Sequence, residues 1–362
     1  EDGTRLYQPN SRYLNLRPSG PWQYYPNPAD YIKNVGGFNT EVGLPSVPTA
    51  ESMRKMMAEE DVWPISDVWA YHDFHDGQKV YCSSIENLYG KSETLEDFCR
   101  RAQLINYESH RAMFEAWNSK LWDNVSGVLL WMTHPAWPST DWQVYSWDYE
   151  TLGSYFGAKK ACEPIHIQMN RHDKKVVVIN TSLKSYPQLN ASLELIDLSG
   201  KKLNSKSINT KVLPNQLTYC FTAELPSGKN DVYLIRLTLS EGEKILSQNE
   251  YWSSNLEVKS FDSFKNLPET YLKAKILKQE KGRVSFVISN PTKVPAIGLK
   301  LNLRDPMSNK IILPAYFSDG YFTMLPGEKR QIEVDWISKN TKNISVVAEG
   351  YNLKQQMLFV TR

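Results

Sequence analysis

In GGFNTEVGLPSVPTAESMRKMM (36–57) the carboxylate of Glu41 stands between a short apolar lead-in and a loop with two prolines. An acid at the carboxyl end of a strand is where barrel enzymes place reacting groups. A second apolar run, SGVLLWM (126–132), continues as THPAWP, so Trp131, His134 and Trp137 are expected at the same end as Glu41. A carboxylate beside several aromatic rings suits sugar chemistry: a nucleophile for an anomeric carbon and flat apolar faces for the ring C–H groups. The other candidate groups carry less. His72, Asp73, His75 and Asp76 in YHDFHDG offer metal-ligand types but sit in an irregular aromatic segment without a third histidine nearby, so no metal is expected. There is no GxSxG elbow and no glycine-rich phosphate loop, and no cofactor is expected.

Positioning these residues requires strands and helices around them. Residues 1–34, rich in Tyr, Pro and Asn, read as loop. Val35 to Phe38 leads a short strand to Glu41, and Thr49 caps a helix from about 50 to 58. Leu95, Phe98, Cys99, Ala102, Ile105, Ala112, Met113 and Trp117 share one face at helical spacing, which predicts a helix over 95–118 with Thr94 at its cap. The unbroken apolar run of SGVLLWM predicts a strand buried on both faces. Strand, helix, helix, strand suits two successive parallel strands of an α/β barrel. Nine of the 11 tryptophans lie between Trp22 and Trp147, so this region differs chemically from the rest.

From residue 165 the pattern turns to short alternating runs: IHIQM, KVVVIN, SLELIDL, LTYCFTAEL, DVYLIRLTL and ILSQNEYW. Turn signals separate them, as in an immunoglobulin-sized β-sandwich. A second set starts near Tyr271 with YLKAKIL and RVSFVIS and ends with QMLFV; 253–270 reads as the linker. The fold class expected is therefore multidomain α/β plus all-β: the C-terminal part of a TIM (β/α)8 barrel over 1–160, then immunoglobulin-like β-sandwiches over 161–255 and 256–362. With 42 basic and 40 acidic residues the net charge is +2, which argues against nucleic-acid binding, and no apolar run is long enough to span a bilayer. The four cysteines form no CxxC pair.

The segments SGPWQYY, GFNTEVGLPSVPTAESMRKMM, YGKSETLEDFCRRAQLINYESHRAMFEAW and WPSTDWQVYSWDYETLGSYFGAKKACEP resemble the C-terminal half of glycoside hydrolase family 2, in the branch of the exo-β-D-glucosaminidases and β-mannosidases. The resemblance implies a retaining exo-acting β-glycosidase for oligosaccharides or polysaccharides ending in β-linked glucosamine or mannose, with Glu41, at the end of a seventh barrel strand, as nucleophile. Asn39, Tyr24, Tyr25, Trp131, His134 and Trp137 would meet the sugar. The acid/base glutamate of that family lies upstream, so the chain is expected to be a fragment, inactive alone, whose partner is the missing N-terminal part of the same enzyme and whose open barrel exposes apolar strand faces. Asn249-Glu250 is an unsuitable substitute because it ends a sandwich strand. Family habit implies a periplasmic or secreted location. The alternative is a non-catalytic carbohydrate-binding or protein-interaction module.

Overall fold

The computed structural model describes residues 3–5, 7, 9, 10, 20–226, 232–254, 260–337 and 343–361. Two parallel strands, β1 (Gly37–Val42) and β2 (Val125–Leu130), are joined by helices α1 (Ala50–Met56), α2 (Glu59–Val62), α3 (Asp67–Tyr71), α4 (Lys79–Tyr89) and α5 (Leu95–Asn118); α6 (Gly153–Ala161) follows. Helix α5 has the expected bounds, and its cap works as expected: Thr94 Oγ1 accepts from the Asp97 N–H at 3.2 Å. Acidic Glu96 and Asp97 in the first turn suit the positive end of the helix. Its first half buries Leu95, Phe98, Ala102 and Ile105 against α1, α3 and α4, while Ala112, Met113 and Trp117 pack under β1, β2 and α6. Thr49 caps α1 as expected, but α1 stops at Met56 because Met57 is already extended.

Three expectations need correction. Strand β2 is not buried on both faces: Val128 and Leu130 lie against the α5 cluster, whereas Leu129 on the other side is 52% exposed. A continuous apolar run reads as doubly covered only when both sides have neighbours, and among the described residues one side does not. Residues 28–34, expected as loop, form a 3₁₀ turn capped by Asn27 and closed over buried Tyr31. The linker is also more than a tether. Phe264 is buried within 5.1 Å of Phe261 and Trp252 and 5.4 Å of Tyr351, so Asp262–Asn266 becomes part of the packing between α4 and both sandwiches.

Helix α6 touches α5 backbone to backbone. A Cβ at Gly153 would collide with the Gln103 carbonyl, and one at Gly157 with the Tyr107 carbonyl, so two glycines four apart permit the approach.

The first sandwich contains β3 (Ile165–Met169), β4 (Lys175–Asn180), β5 (Tyr186–Asp197), β6 (Lys202–Val212), β7 (Gln216–Thr222), β8 (Val232–Glu241) and β9 (Lys244–Ser254). Its antiparallel sheets run β3-β4-β7 and β6-β5-β8-β9, closing over Ile167, Val178, Leu193, Leu195, Ile235, Leu237 and Tyr251. The second contains β10 (Lys273–Glu280), β11 (Arg283–Ser289), β12 (Ala296–Arg304), β13 (Ala315–Phe317), β14 (Phe322–Met324), β15 (Lys329–Trp336), β16 (Ser345–Glu349) and β17 (Gln356–Val360). Its sheets run β10-β11-β15-β13 and β14-β12-β16-β17 around Val284, Phe286, Leu301, Phe317, Ile332 and Val346.

Charged groups bind the three regions together. On α5, Arg111 reaches the Asn249 side chain and the Glu250 carbonyl of β9, and Glu115 meets His166 at 3.3 Å and the Tyr251 hydroxyl at 3.0 Å. Lys300 of β12 pairs with Glu150, and Arg304 with Glu51 of α1 at 2.6 Å. Arg236 joins the sandwiches by gripping Glu250 and Glu328. Asn249 and Glu250 are thus consumed in interdomain contacts.

Candidate functional site

Glu41 owes its orientation to an irregularity. Asn39 pairs with Val128 and Val42 with Leu130, so Thr40 and Glu41 together stand opposite the single residue Leu129. Such a bulge turns the extra residue out of the regular alternation. Val42 and Leu130 face α5 and Leu129 faces the open side, which places Glu41 on the open side too. Among the described residues the Glu41 carboxylate has no hydrogen-bond or ion-pair partner; its backbone N–H donates to Asn39 Oδ1 at 3.0 Å and its carbonyl accepts from the Gly20 N–H at 2.7 Å.

Beside it, the Trp131 N–H donates to the Val42 carbonyl at 2.7 Å, extending the parallel ladder past the end of β2. Trp131 is 48% exposed at the same end of the sheet as Glu41. Gly43 makes this possible, because a side chain there would strike the Trp131 carbonyl and the Trp142 ring. Trp142, in the left-handed region at φ 51°, meets Trp22 edge-on at 5.4 Å and lies 5.8 Å from His75. Neither Trp22 nor Trp142 stands out from the sequence, except as part of its tryptophan-rich first region.

Trp137 stacks on His72 at 5.5 Å and 22°, with Tyr71 edge-on at 5.1 Å, and is 38% exposed. His72 is pinned by donating from Nδ1 to the Pro138 carbonyl at 2.7 Å. His134 stacks on Tyr149 at 4.3 Å, with Nε2 3.3 Å from the Trp147 carbonyl. The remaining sugar-contact candidates are used otherwise. Tyr24 is buried edge-on to Tyr81, and burial pushes its phenol well above the ordinary range. Tyr25 packs on Tyr31 at 5.0 Å and accepts from Asn34 Nδ2 at 3.1 Å. Asn39 is fully buried and spends its amide on the backbone.

Asp141, bridged through its backbone to Pro45, is a buried acid that sequence reasoning passed over. Burial and the neighbouring Asp73 charge raise its pKa well above the carboxylate range, although Gln78 Nε2 donates to it at 2.8 Å. Among the described residues no group of three or more His, Cys, Asp or Glu could hold a metal ion; the Asp76 side chain lies outside them.

Residues 233–353 match the exo-β-D-glucosaminidase Ig-fold domain, and residues 173–256 the mannosidase Ig/CBM-like domain. An exo-β-D-glucosaminidase of Streptomyces avermitilis is 28% identical over 96% of this chain and 43% of its own length. A mannosylglycoprotein endo-β-mannosidase of Lilium longiflorum is 26% identical over 98% of this chain and 46% of its own. The crystal structure of an Amycolatopsis orientalis exo-chitosanase superposes with a TM-score of 0.83 at 25% identity, covering 94% of this chain and 45% of that one. The chain therefore spans less than half the length of these relatives. It is a homologue of the exo-β-D-glucosaminidases and β-mannosidases and carries immunoglobulin-fold domains of their kind.

Proposed function

We propose that the chain is the nucleophile-bearing part of a retaining exo-β-glycosidase of glycoside hydrolase family 2, acting on terminal β-linked glucosamine or mannose. The observation that carries this reading is the Glu41 carboxylate, without a partner among the described residues, on the open side of a parallel strand end whose next residue, Val42, accepts from half-exposed Trp131. On this reading β1 and β2 are the last two strands of a (β/α)8 barrel, and the open side faces its interior. Glu41 attacks the anomeric carbon and forms an ester while a second carboxyl protonates the departing oxygen; water, deprotonated by that second group, then cleaves the ester. The two carboxyls must lie about 5–5.5 Å apart for this outcome. The second carboxyl comes from residues of the parent enzyme beyond this chain, in keeping with the share of each relative that is covered. Trp131 and Trp137 offer apolar faces to the sugar. A periplasmic or secreted location belongs to the same proposal.

The test uses the parent enzyme with aryl β-D-glucosaminides and β-D-mannosides. Glu41→Gln is expected to lower kcat by about 10³-fold or more. Wild-type turnover in that variant would end the assignment.

A further inference from the structure

We propose that Asn39 is a positioning residue for Glu41, a role that rests on Glu41 being the nucleophile. A bulge leaves one residue out of the strand ladder, so its backbone is free to adjust unless another group claims it. In β1 that group is the Asn39 amide. Its Oδ1 accepts from the Glu41 N–H at 3.0 Å, and its Nδ2 donates to the Gly20 carbonyl at 2.7 Å. The Gly20 N–H in turn donates to the Glu41 carbonyl at 2.7 Å. The three contacts close a ring around Glu41: its N–H is held by Asn39, its C=O by Gly20, and the two holders by each other. Asn39 is fully buried, so it presents no atom to a ligand and acts only through this ring.

The ring matters because the Glu41 carboxylate, among the described residues, has nothing else to direct it. A nucleophile whose side chain is left free for substrate must be aimed through its backbone. In-line attack needs the reacting atoms within about 3–3.5 Å and aligned, and a misplacement of about 1 Å can cost 10²-fold. Loosening the ring therefore lowers the rate of ester formation while the groups that bind the sugar stay in place.

Two experiments test this. In this chain, Thr40-Glu41 is the single Thr-Glu step, so carbonyl-¹³C threonine with ¹⁵N glutamate isolates the Glu41 amide by NMR. Asn39→Ala is expected to speed its hydrogen exchange roughly tenfold, while amides in the core of β8 are unchanged. In the parent enzyme the same substitution is expected to lower kcat about 10²-fold with KM within about twofold. Asn39→Asp provides the rescue: its protonated carboxyl can accept from Glu41 and donate to Gly20, so its kcat relative to wild type should climb as pH falls. Should Asn39→Ala fail to fold, Asn39→Asp decides alone through that pH profile. Unchanged exchange, an unchanged kcat, or a flat relative profile for Asn39→Asp would overturn the proposal. Failure of the nucleophile reading is seen separately, as retained activity in Glu41→Gln, and leaves the exchange result standing.

Discussion

Val42 accepts a hydrogen bond of 2.7 Å from the Trp131 N–H, which ties the residue after β2 to the residue that follows Glu41. The contact depends on Gly43, over which the Trp131 carbonyl and the Trp142 ring both lie. Gly43→Ala is expected to destabilise the chain by about 1–3 kcal/mol, the usual cost of forcing atoms into a packed region, and to quench or shift Trp fluorescence. Urea unfolding compared with wild type measures the first, and an unchanged midpoint would contradict it.

Gly157→Ala should cost as much or more. Its Cβ would meet the backbone of Tyr107 and Arg111 rather than a movable side chain, so α6 must lift from α5. A loss of about 2–3 kcal/mol is expected by denaturant titration. A neighbouring control, Ala158→Gly, removes a helix former without adding atoms and should cost only about 1 kcal/mol.

His166 sets a pH dependence. Burial disfavours its charge, but Glu115 at 3.3 Å and Glu163 at 3.2 Å outweigh that and raise its pKa above the ordinary 6.5. Arg111, beside Glu115, and Lys160, beside Glu163, complete the charged surroundings. A histidine whose folded pKa is raised stabilises fully below its unfolded pKa, and that contribution is lost as pH rises through the folded value. The thermal stability of wild type is therefore expected to fall from about pH 6.5 upward relative to His166→Gln, whose profile lacks this step. Parallel curves would contradict the assignment.

Lys300 makes a harsher test. It is buried against Glu150, with Glu349 at 3.6 Å, and these carboxylates outweigh its burial and raise its pKa. Glu150→Ala leaves the ammonium with the more distant partner only and removes the acceptor of the Thr49 hydroxyl. A loss of about 3–5 kcal/mol is expected from removing one partner of a buried pair. The double variant Glu150→Ala/Lys300→Met should recover a large part of it, and a double variant no better than the single would refute the charge explanation.

Asp141 is an acid whose charge the fold disfavours. Burial and Asp73 raise its folded pKa, so the charged form is disfavoured and stability falls as pH rises from the unfolded value toward the folded one. Asp141→Asn keeps an acceptor for Gln78 and removes the charge. It is expected to raise Tm by about 2 °C at neutral pH and to change nothing near pH 3. A lower Tm at neutral pH would show that the charge is wanted there.

Much of this architecture was legible because its signals are local. Helix α5 carries an unmistakable stripe and a capping threonine, and most sandwich strands alternate cleanly between turn signals. Strand β6 escaped notice because KLNSKSINTKV is polar on nearly every residue, as an edge strand facing water can be. Helix α4 begins after Gln78 without a capping side chain, so nothing in the sequence marks its start. The carboxylate at 41 could be picked out by its place at a strand end, but the bulge that turns it, and the burial of Tyr24 and Asn39, depend on contacts with Gly20 and Tyr81 that spacing along the chain does not encode. The same holds for Asp141, whose raised pKa comes from its burial and from the charge of Asp73, a loop residue 68 positions away.

Helix α5 is 24 residues long, roughly 36 Å of continuous rod, and it underlies both strands, the paired glycines of α6 and the buried Asn249 of β9. No sandwich can leave without stripping part of that rod bare. The chain should therefore resist being trimmed into smaller folded pieces: a protease would find the whole assembly either intact or lost.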